Sequence, residues 1–152
     1  MIRFHAALAL AGTLLLATHA SAQTAGKTVI ATPNAPEAIG PYSQAIKVGN
    51  MVFLAGQVAI DPKTKQFMKD AGIEDQTKQT LENLKAVLEA DGLTMDHVVS
   101  TNVFLKDLND FGKMNGVYGS YFKTAPPARA TVEVARLPLD AKVEIVAIAV
   151  RP

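Results

Sequence analysis

The sequence predicts an α+β domain. Three observations carry that reading: short strands rich in β-branched residues that pair off as hairpins, two segments of helical periodicity set among them, and no third run of elements to form another layer. The C-terminal stretch shows the pattern most plainly. Pro126-Pro127-Ala128-Arg129-Ala130-Thr131-Val132-Glu133-Val134-Ala135 reads as one strand, and Val143-Glu144-Ile145-Val146-Ala147-Ile148-Ala149-Val150 as another. Pro138 and Asp140 supply turn chemistry between them, so the two are expected to form a hairpin.

The preceding elements follow in order. Thr28 to Ala31 is a first short strand, broken by Pro33-Asn34-Ala35-Pro36. Gly40-Pro41 makes a bend, after which the chain resumes an extended path. Gly49-Asn50 is a hairpin signal between Gln44–Val48 and Met51–Gly56. From Ile73 to Ala90 the period becomes helical: Ile73, Thr77, Thr80, Leu81, Leu84, Val87 and Leu88 share a face, and Gly92 ends the helix. His97 to Leu105 alternates as a strand, and Asp107 to Phe122 reads as a second helix stopped by Pro126-Pro127. The order β-β-β-α-β-α-β-β puts both helices on one sheet face. With no third layer to cover the other face, oligomerisation is the expected solution.

The first segment stands apart from this domain. Arg3 and His5 precede an apolar run from Ala6 to Ala17, and Ala20-Ser21-Ala22 is a small-x-small cleavage pattern before Gln23. This is the layout of a secretory signal peptide. The run is shorter than the roughly 20 apolar residues a membrane span needs. Residues 1–22 are therefore expected to be a signal peptide and residues 23–152 a single domain, periplasmic or secreted and without a membrane anchor after cleavage.

Composition excludes several functions. The 152-residue chain is 49% hydrophobic and 19% charged, with a formal net charge of +1. Losing Arg3 with the leader brings that to zero, which offers nucleic acid no electrostatic attraction. The absence of cysteine excludes disulfides, thiolate nucleophiles and zinc–thiolate sites, and suits an oxidising compartment. His97 is the one histidine left after cleavage, so an imidazole metal site cannot be assembled within one chain, and a solvated role is expected for it. No serine sits in a nucleophile elbow, and no glycine-rich nucleotide fingerprint occurs.

What remains is a pair of charges. Arg129 follows the rigid Pro-Pro corner, and arginine is a planar fork suited to a substrate carboxylate. Glu144 shares a strand face with Val146, Ile148 and Val150, where a carboxylate is costly unless paired or used. Held against apolar walls, it suits proton transfer. Each charge also has a plainer reading, Arg129 as a surface salt bridge and Glu144 as an inter-subunit contact. Tyr42, Gly56, Asn115 and Thr131 are supporting candidates. In a hairpin about Leu139, Arg129 and Glu144 would lie about 16 Å apart at about 3.3 Å per residue. They could then serve one pocket only by bending, through a substrate, or across a subunit boundary.

Gly40-Pro41-Tyr42-Ser43-Gln44-Ala45, Ala55-Gly56-Gln57, Asn102-Val103-Phe104-Leu105-Lys106-Asp107-Leu108, Asp110-Phe111, Met114-Asn115, Pro127-Ala128-Arg129, Val134-Ala135-Arg136-Leu137-Pro138 and Val143-Glu144-Ile145, in this order, resemble the RidA (YjgF-like) family of reactive-intermediate deaminases. The resemblance covers nearly all of residues 23–152. It implies a chorismate-mutase-like mixed sheet with two helices on one face, and a homotrimer with a central β-barrel and active sites between subunits. It implies cofactor-independent hydrolysis of 2-imino acids or enamines, such as 2-iminopropanoate and 2-iminobutanoate, to 2-keto acids and ammonia. It assigns Arg129 to the substrate carboxylate and Glu144 to the catalytic water. Gly56 and Thr131 would lend backbone contacts, and Tyr42 and Asn115 would shape the pocket. Thr131, Ala55 and Val146 depart from residues frequent in the family (cysteine, serine and a second acid), which bears on substrate preference. The alternative is a holdase or small-metabolite-binding trimer; a ribonuclease role, also attached to relatives, fits poorly with the neutral charge and the lack of a histidine pair. N-terminal sequencing of the exported protein should begin at Gln23; an intact Met1 there would overturn the leader assignment.

Overall fold

A computed structural model describes residues 26–152; the leader assigned to residues 1–22 lies outside them. Six strands form one mixed sheet in the order β1-β2-β3-β6-β4-β5, with β1 at Lys27–Ile30, β2 at Ala45–Val48, β3 at Met51–Gln57, β4 at Val98–Leu105, β5 at Ala128–Glu133 and β6 at Val143–Val150. Helices α1 (Ile73–Ala90) and α2 (Phe111–Tyr121) pack together and cover one face. The α+β reading therefore holds, as does the placement of both helices on one side.

The local grammar explains the elements. Gly49, at φ 60°, opens the two-residue loop that pairs Val48 with Met51. The apolar stripe of α1 is buried as its spacing requires, with Leu81, Leu84, Val87 and Leu88 at or near zero exposure. Two polar residues join that stripe. Gln76 donates to the Met68 carbonyl and accepts from Lys142 N–H; Asn83 donates to the carbonyls of Val58 and Ile60. Gly92, at φ 69°, ends α1 as expected. The second helical segment is tighter at its start: Asp107 accepts from Asn109 N–H and caps a 3₁₀ turn at Leu108–Asp110 before α2 begins.

The expected C-terminal hairpin is not formed. Strand β4 lies between β5 and β6, pairing parallel with the first and antiparallel with the second. The β4-α2-β5 segment is a crossover, which delivers β5 to the edge of the sheet. Residues 134–142 then pass over the end of β4, where Val134 N–H donates to Leu105 O and Lys106 N–H to Lys142 O. Turn residues at 138–140 signalled a reversal correctly. They could not signal that a long-range strand would occupy the gap.

Register sets which side chains share a face. Along β6, Val143, Ile145, Ala147 and Ala149 are buried under the helices, while Glu144, Val146, Ile148 and Val150 alternate onto the other side. That side is apolar and open: Phe53, Val99 and Val132 are each at least 41% exposed. Between Leu54 and Gln57 the β3–β6 register slips, leaving a bulge at Ala55-Gly56.

One ion-pair cluster ties the far end of the domain together. Asp91, at the C-terminus of α1, bonds Lys47 Nζ at 2.7 Å and Arg151 Nη2 at 2.7 Å, and its carbonyl also accepts from Arg151. The Asp91 side chain is only 11% exposed. Burial pushes its carboxyl pKa up, but the Lys47 and Arg151 hydrogen bonds and charges outweigh this and leave it lowered. The folded value thus lies below the unfolded one, near 4. This stabilisation is complete above about pH 4 and is lost as pH falls through the folded value. Asp91→Asn should cost about 1–2 kcal/mol at pH 7 and flatten the acid limb of stability, as read from urea melts at pH 7 and pH 3.

Candidate functional site

The six candidate residues fall into two groups. Tyr42, Gly56 and Glu144 line one pocket of about 370 Å³, together with the Pro36–Ile39 segment, Val58, Ile60, Pro138 and Leu139. Arg129, Asn115 and Thr131 lie elsewhere, at the edge strand β5 and the helix that feeds it.

Glu144 owes its position to β6. Its Cα partner across the ladder is Phe104 of β4, and both side chains leave the sheet away from the helices. The bulge brings Gly56 against the carboxylate from the β3 side. A Cβ on Gly56 would sit 2.9 Å from Glu144 Cδ and overlap the nearer oxygen, so any side chain here must displace the carboxylate. Burial pushes the Glu144 pKa up, and no charge or hydrogen bond among the described residues opposes it. Within its own chain, among the described residues, the carboxylate therefore stands without a partner.

Tyr42 closes the pocket from the loop after β1. Its ring is half exposed, and its hydroxyl accepts from Ile39 N–H at 3.3 Å. The anchor for this loop is Gln44, which was not singled out from the sequence. Its buried amide donates to the carbonyls of Thr32, Ala35 and Pro36 and accepts from Thr32 N–H. A glutamine at the start of β2 gave no signal of this; only the doubled-back loop reveals it.

Arg129 is held just as deliberately. It aligns with Thr101 of β4, which faces the helices and shares a 2.7 Å hydrogen bond with the Tyr118 hydroxyl. The guanidinium lies over the Tyr118 ring at 4.5 Å and near Phe111 at 5.6 Å, and donates to Asn115 Oδ1 at 2.8 Å. Two aromatic faces and one amide thus orient the fork without neutralising it. Burial raises the Tyr118 pKa against the opposing influence of Thr101 and Arg129, which keeps the phenol neutral. Thr131, two residues on, has a buried hydroxyl with no partner. Arg129 has no carboxylate partner among the described residues, so the surface-salt-bridge alternative is not realised there. His97 stays partly exposed, as expected, and its Nδ1 accepts from Thr94 N–H to close a local capping box around a 3₁₀ turn.

Arg129 and Glu144 stand on opposite faces of the sheet. Residue 129 aligns with 101 and 147, both buried on the helix side; residue 144 aligns with 104 on the open side. Bending one chain cannot bring them to one ligand, because the sheet itself stands between them.

The fold and these two half-sites define a small α+β protein with a perturbed, unpaired carboxylate in one pocket and a pre-oriented guanidinium on the opposite face. A family profile described as Endoribonuclease L-PSP matches residues 32–151. The chain is 58% identical over 123 residues to a RutC family protein of Pyrococcus horikoshii, covering 81% of this chain and 97% of that one. It is 52% identical over 125 residues to the 2-iminobutanoate/2-iminopropanoate deaminase of Salmonella typhimurium, covering 80% and 96% respectively. The crystal structure of Escherichia coli TdcF with bound serine superimposes with a TM-score of 0.79 at 44% identity, over 82% of this chain and 99% of that one. The chain belongs to the YjgF/RidA family.

Gly56→Ala should leave the fold standing, at a cost of no more than about 1 kcal/mol, because the Glu144 carboxylate can swing aside. It should also bring the Glu144 pKa down toward the ordinary glutamate value of about 4.3. Carbon-13 NMR titration of the carboxyl group reads this directly, and an unchanged titration would disprove the contact.

Proposed function

We propose that the protein hydrolyses 2-imino acids, or their enamine tautomers, to 2-keto acids and ammonia. The observation that carries this reading is Glu144, a half-buried carboxylate with a raised pKa and no partner among the described residues, set in the wall of a pocket. The Salmonella relative is named as such a deaminase.

The chemistry asks little of the protein. An imine carbon is already electrophilic, so a held substrate and one proton shuttle suffice. Arg129 binds the substrate carboxylate through its fork, and Asn115, Phe111 and Tyr118 keep that fork aimed. Glu144 takes a proton from water as the oxygen bonds to the imine carbon and the C=N electron pair moves to nitrogen. It returns that proton to the nitrogen, giving a carbinolamine, and then carries the carbinolamine's hydroxyl proton to the amine, so that the C–N bond breaks and ammonia leaves as the C=O of the keto acid forms. A carboxyl group with a raised pKa can perform both transfers near neutral pH.

Because Arg129 and Glu144 occupy opposite faces, we place each complete site between two copies of the chain. The open apolar face, with Phe53, Val99, Val132, Val146 and Ile148, is the surface a homotrimer would bury. The same face would serve a holdase, but a holdase has no use for a stacked, carboxylate-free arginine. Export to a periplasmic or extracellular compartment, guided by residues 1–22, is part of the same proposal.

Imines generated in situ by an amino-acid oxidase should release ammonia faster with the purified protein than without it. Arg129→Ala and Glu144→Gln should each lower kcat/KM by at least about 100-fold. The acid limb of the kcat/KM profile should lie above the ordinary glutamate value of about 4.3. The folded pKa of Glu144 exceeds the unfolded one, so ionising it opposes folding as pH rises through the folded value. Glu144→Gln should therefore be inactive yet at least as stable as the parent at pH 8. Wild-type turnover no faster than the uncatalysed reaction would sink the proposal and favour the holdase.

A further inference from the structure

The pocket beside Glu144 is bounded on one side by a turn that the proposed chemistry does not use. Leu139 has φ 59° and ψ 18°, and Asp140 follows at φ 56°. Two consecutive left-handed residues without a glycine are unusual, and leucine, with no polar group to bond locally, is among the less suited to the first place. The turn is held from several directions. Pro138 sets the backbone before it, and Asp140 N–H donates to Leu137 O and Ala141 N–H to Pro138 O. Leu137 and Ala141 are buried on either side. On the exposed surface of the turn Arg136 also pairs with Asp140 bidentately, Nε to Oδ1 at 2.7 Å and Nη2 to Oδ2 at 3.0 Å.

The result is a leucine forced outward. The residue is 49% exposed and stands outside the core, yet it lines the same pocket as Glu144. Backbone strain that stabilises nothing nearby points to a use for the side chain it displays. The rest of that wall is also apolar, with Ile39, Val58 and Ile60. In a single chain this cavity is about 370 Å³, more than the methyl or ethyl group of the shortest 2-imino acids fills. Glu37, the other carboxylate lining it, is engaged with Lys65 at 3.3 Å and leaves the apolar wall unopposed.

We infer that Leu139 is a specificity-determining residue, pressed into the pocket by the Arg136–Asp140 clamp, which selects 2-imino acids with extended apolar side chains over the shortest ones. This rests on the deaminase reading and sharpens it. The substrate's carboxylate and imine carbon would sit at the Arg129 and Glu144 end, with its alkyl, thioether or aryl chain along Leu139 and Ile39.

The test compares kcat/KM for imines made in situ from leucine, methionine and phenylalanine with those made from alanine and 2-aminobutyrate. The proteins are the wild type, Leu139→Gly, Leu139→Asn and Arg136→Ala. Wild type should favour the long-chain imines. Both Leu139 variants should lower the long-to-short ratio by about tenfold, the scale set by one apolar contact in a binding pocket. Arg136→Ala, which keeps the leucine but frees the turn, should lower it in the same direction. Leu139→Gly should melt at or above the wild-type temperature, because glycine adopts this backbone freely; a purely structural leucine would give the opposite. A wild type that prefers short imines, or a ratio within twofold of wild type in both Leu139 variants, overturns the inference while leaving deamination intact. A wild type inactive on every imine overturns the deaminase reading and this inference with it.

Discussion

Four side chains of β6, at positions 143, 145, 147 and 149, are buried beneath the helices, and the four between them emerge on the other side of the sheet. This alternation, enforced by hydrogen bonding to β3 on one flank and β4 on the other, constrains the rest of the molecule. A shift of the strand by one residue would drive Glu144 into the core and expose Ile145 and Ala147. The register that seals the core is thus the register that keeps a carboxylate in a pocket.

Precision at that pocket comes from irregularities in an otherwise regular sheet. The bulge at Ala55-Gly56 bends β3 toward Glu144, and the missing side chain at Gly56 makes room for the carboxylate. Loop 32–42 is folded back by one buried amide, that of Gln44. The turn at 137–141 is tightened by the Arg136–Asp140 pair. Each device shapes a wall of the pocket without placing another charge beside Glu144.

The arginine half follows a different logic. Arg129 sits at an edge strand, stacked on Tyr118 and donating to Asn115. Stacking orients a guanidinium while leaving its charge available, as an anion site requires. The unpartnered Thr131 hydroxyl lies in the same strand. Two half-sites on opposite faces make sense if neighbouring copies supply the complementary halves, and the uncovered apolar face gives such copies a reason to associate.

Element types and most boundaries were legible in the sequence because they rest on local physics: the period of α1, the Gly49-Asn50 loop, the Gly92 terminus, the alternation along β6. Arg129 and Glu144 were legible as candidates because a charge beside a rigid corner, or on an apolar strand face, stands out in one dimension. The 3₁₀ start of the second helical segment and the His97 cap, each made within three residues, leave no mark on a periodicity, and Gln44 was hidden because its partners come from a chain reversal that periodicity does not encode. Strand order was misjudged for the same reason. A turn signal says that the chain reverses, whereas only the competition among distant strands for partners decides that β4 lies between β5 and β6. That single long-range choice, together with side-chain parity along each strand, puts Arg129 and Glu144 on opposite faces. Residue chemistry was determined by the sequence alone; the division of that chemistry between two faces was decided by tertiary structure, because strand pairing is settled by burial across the whole sheet.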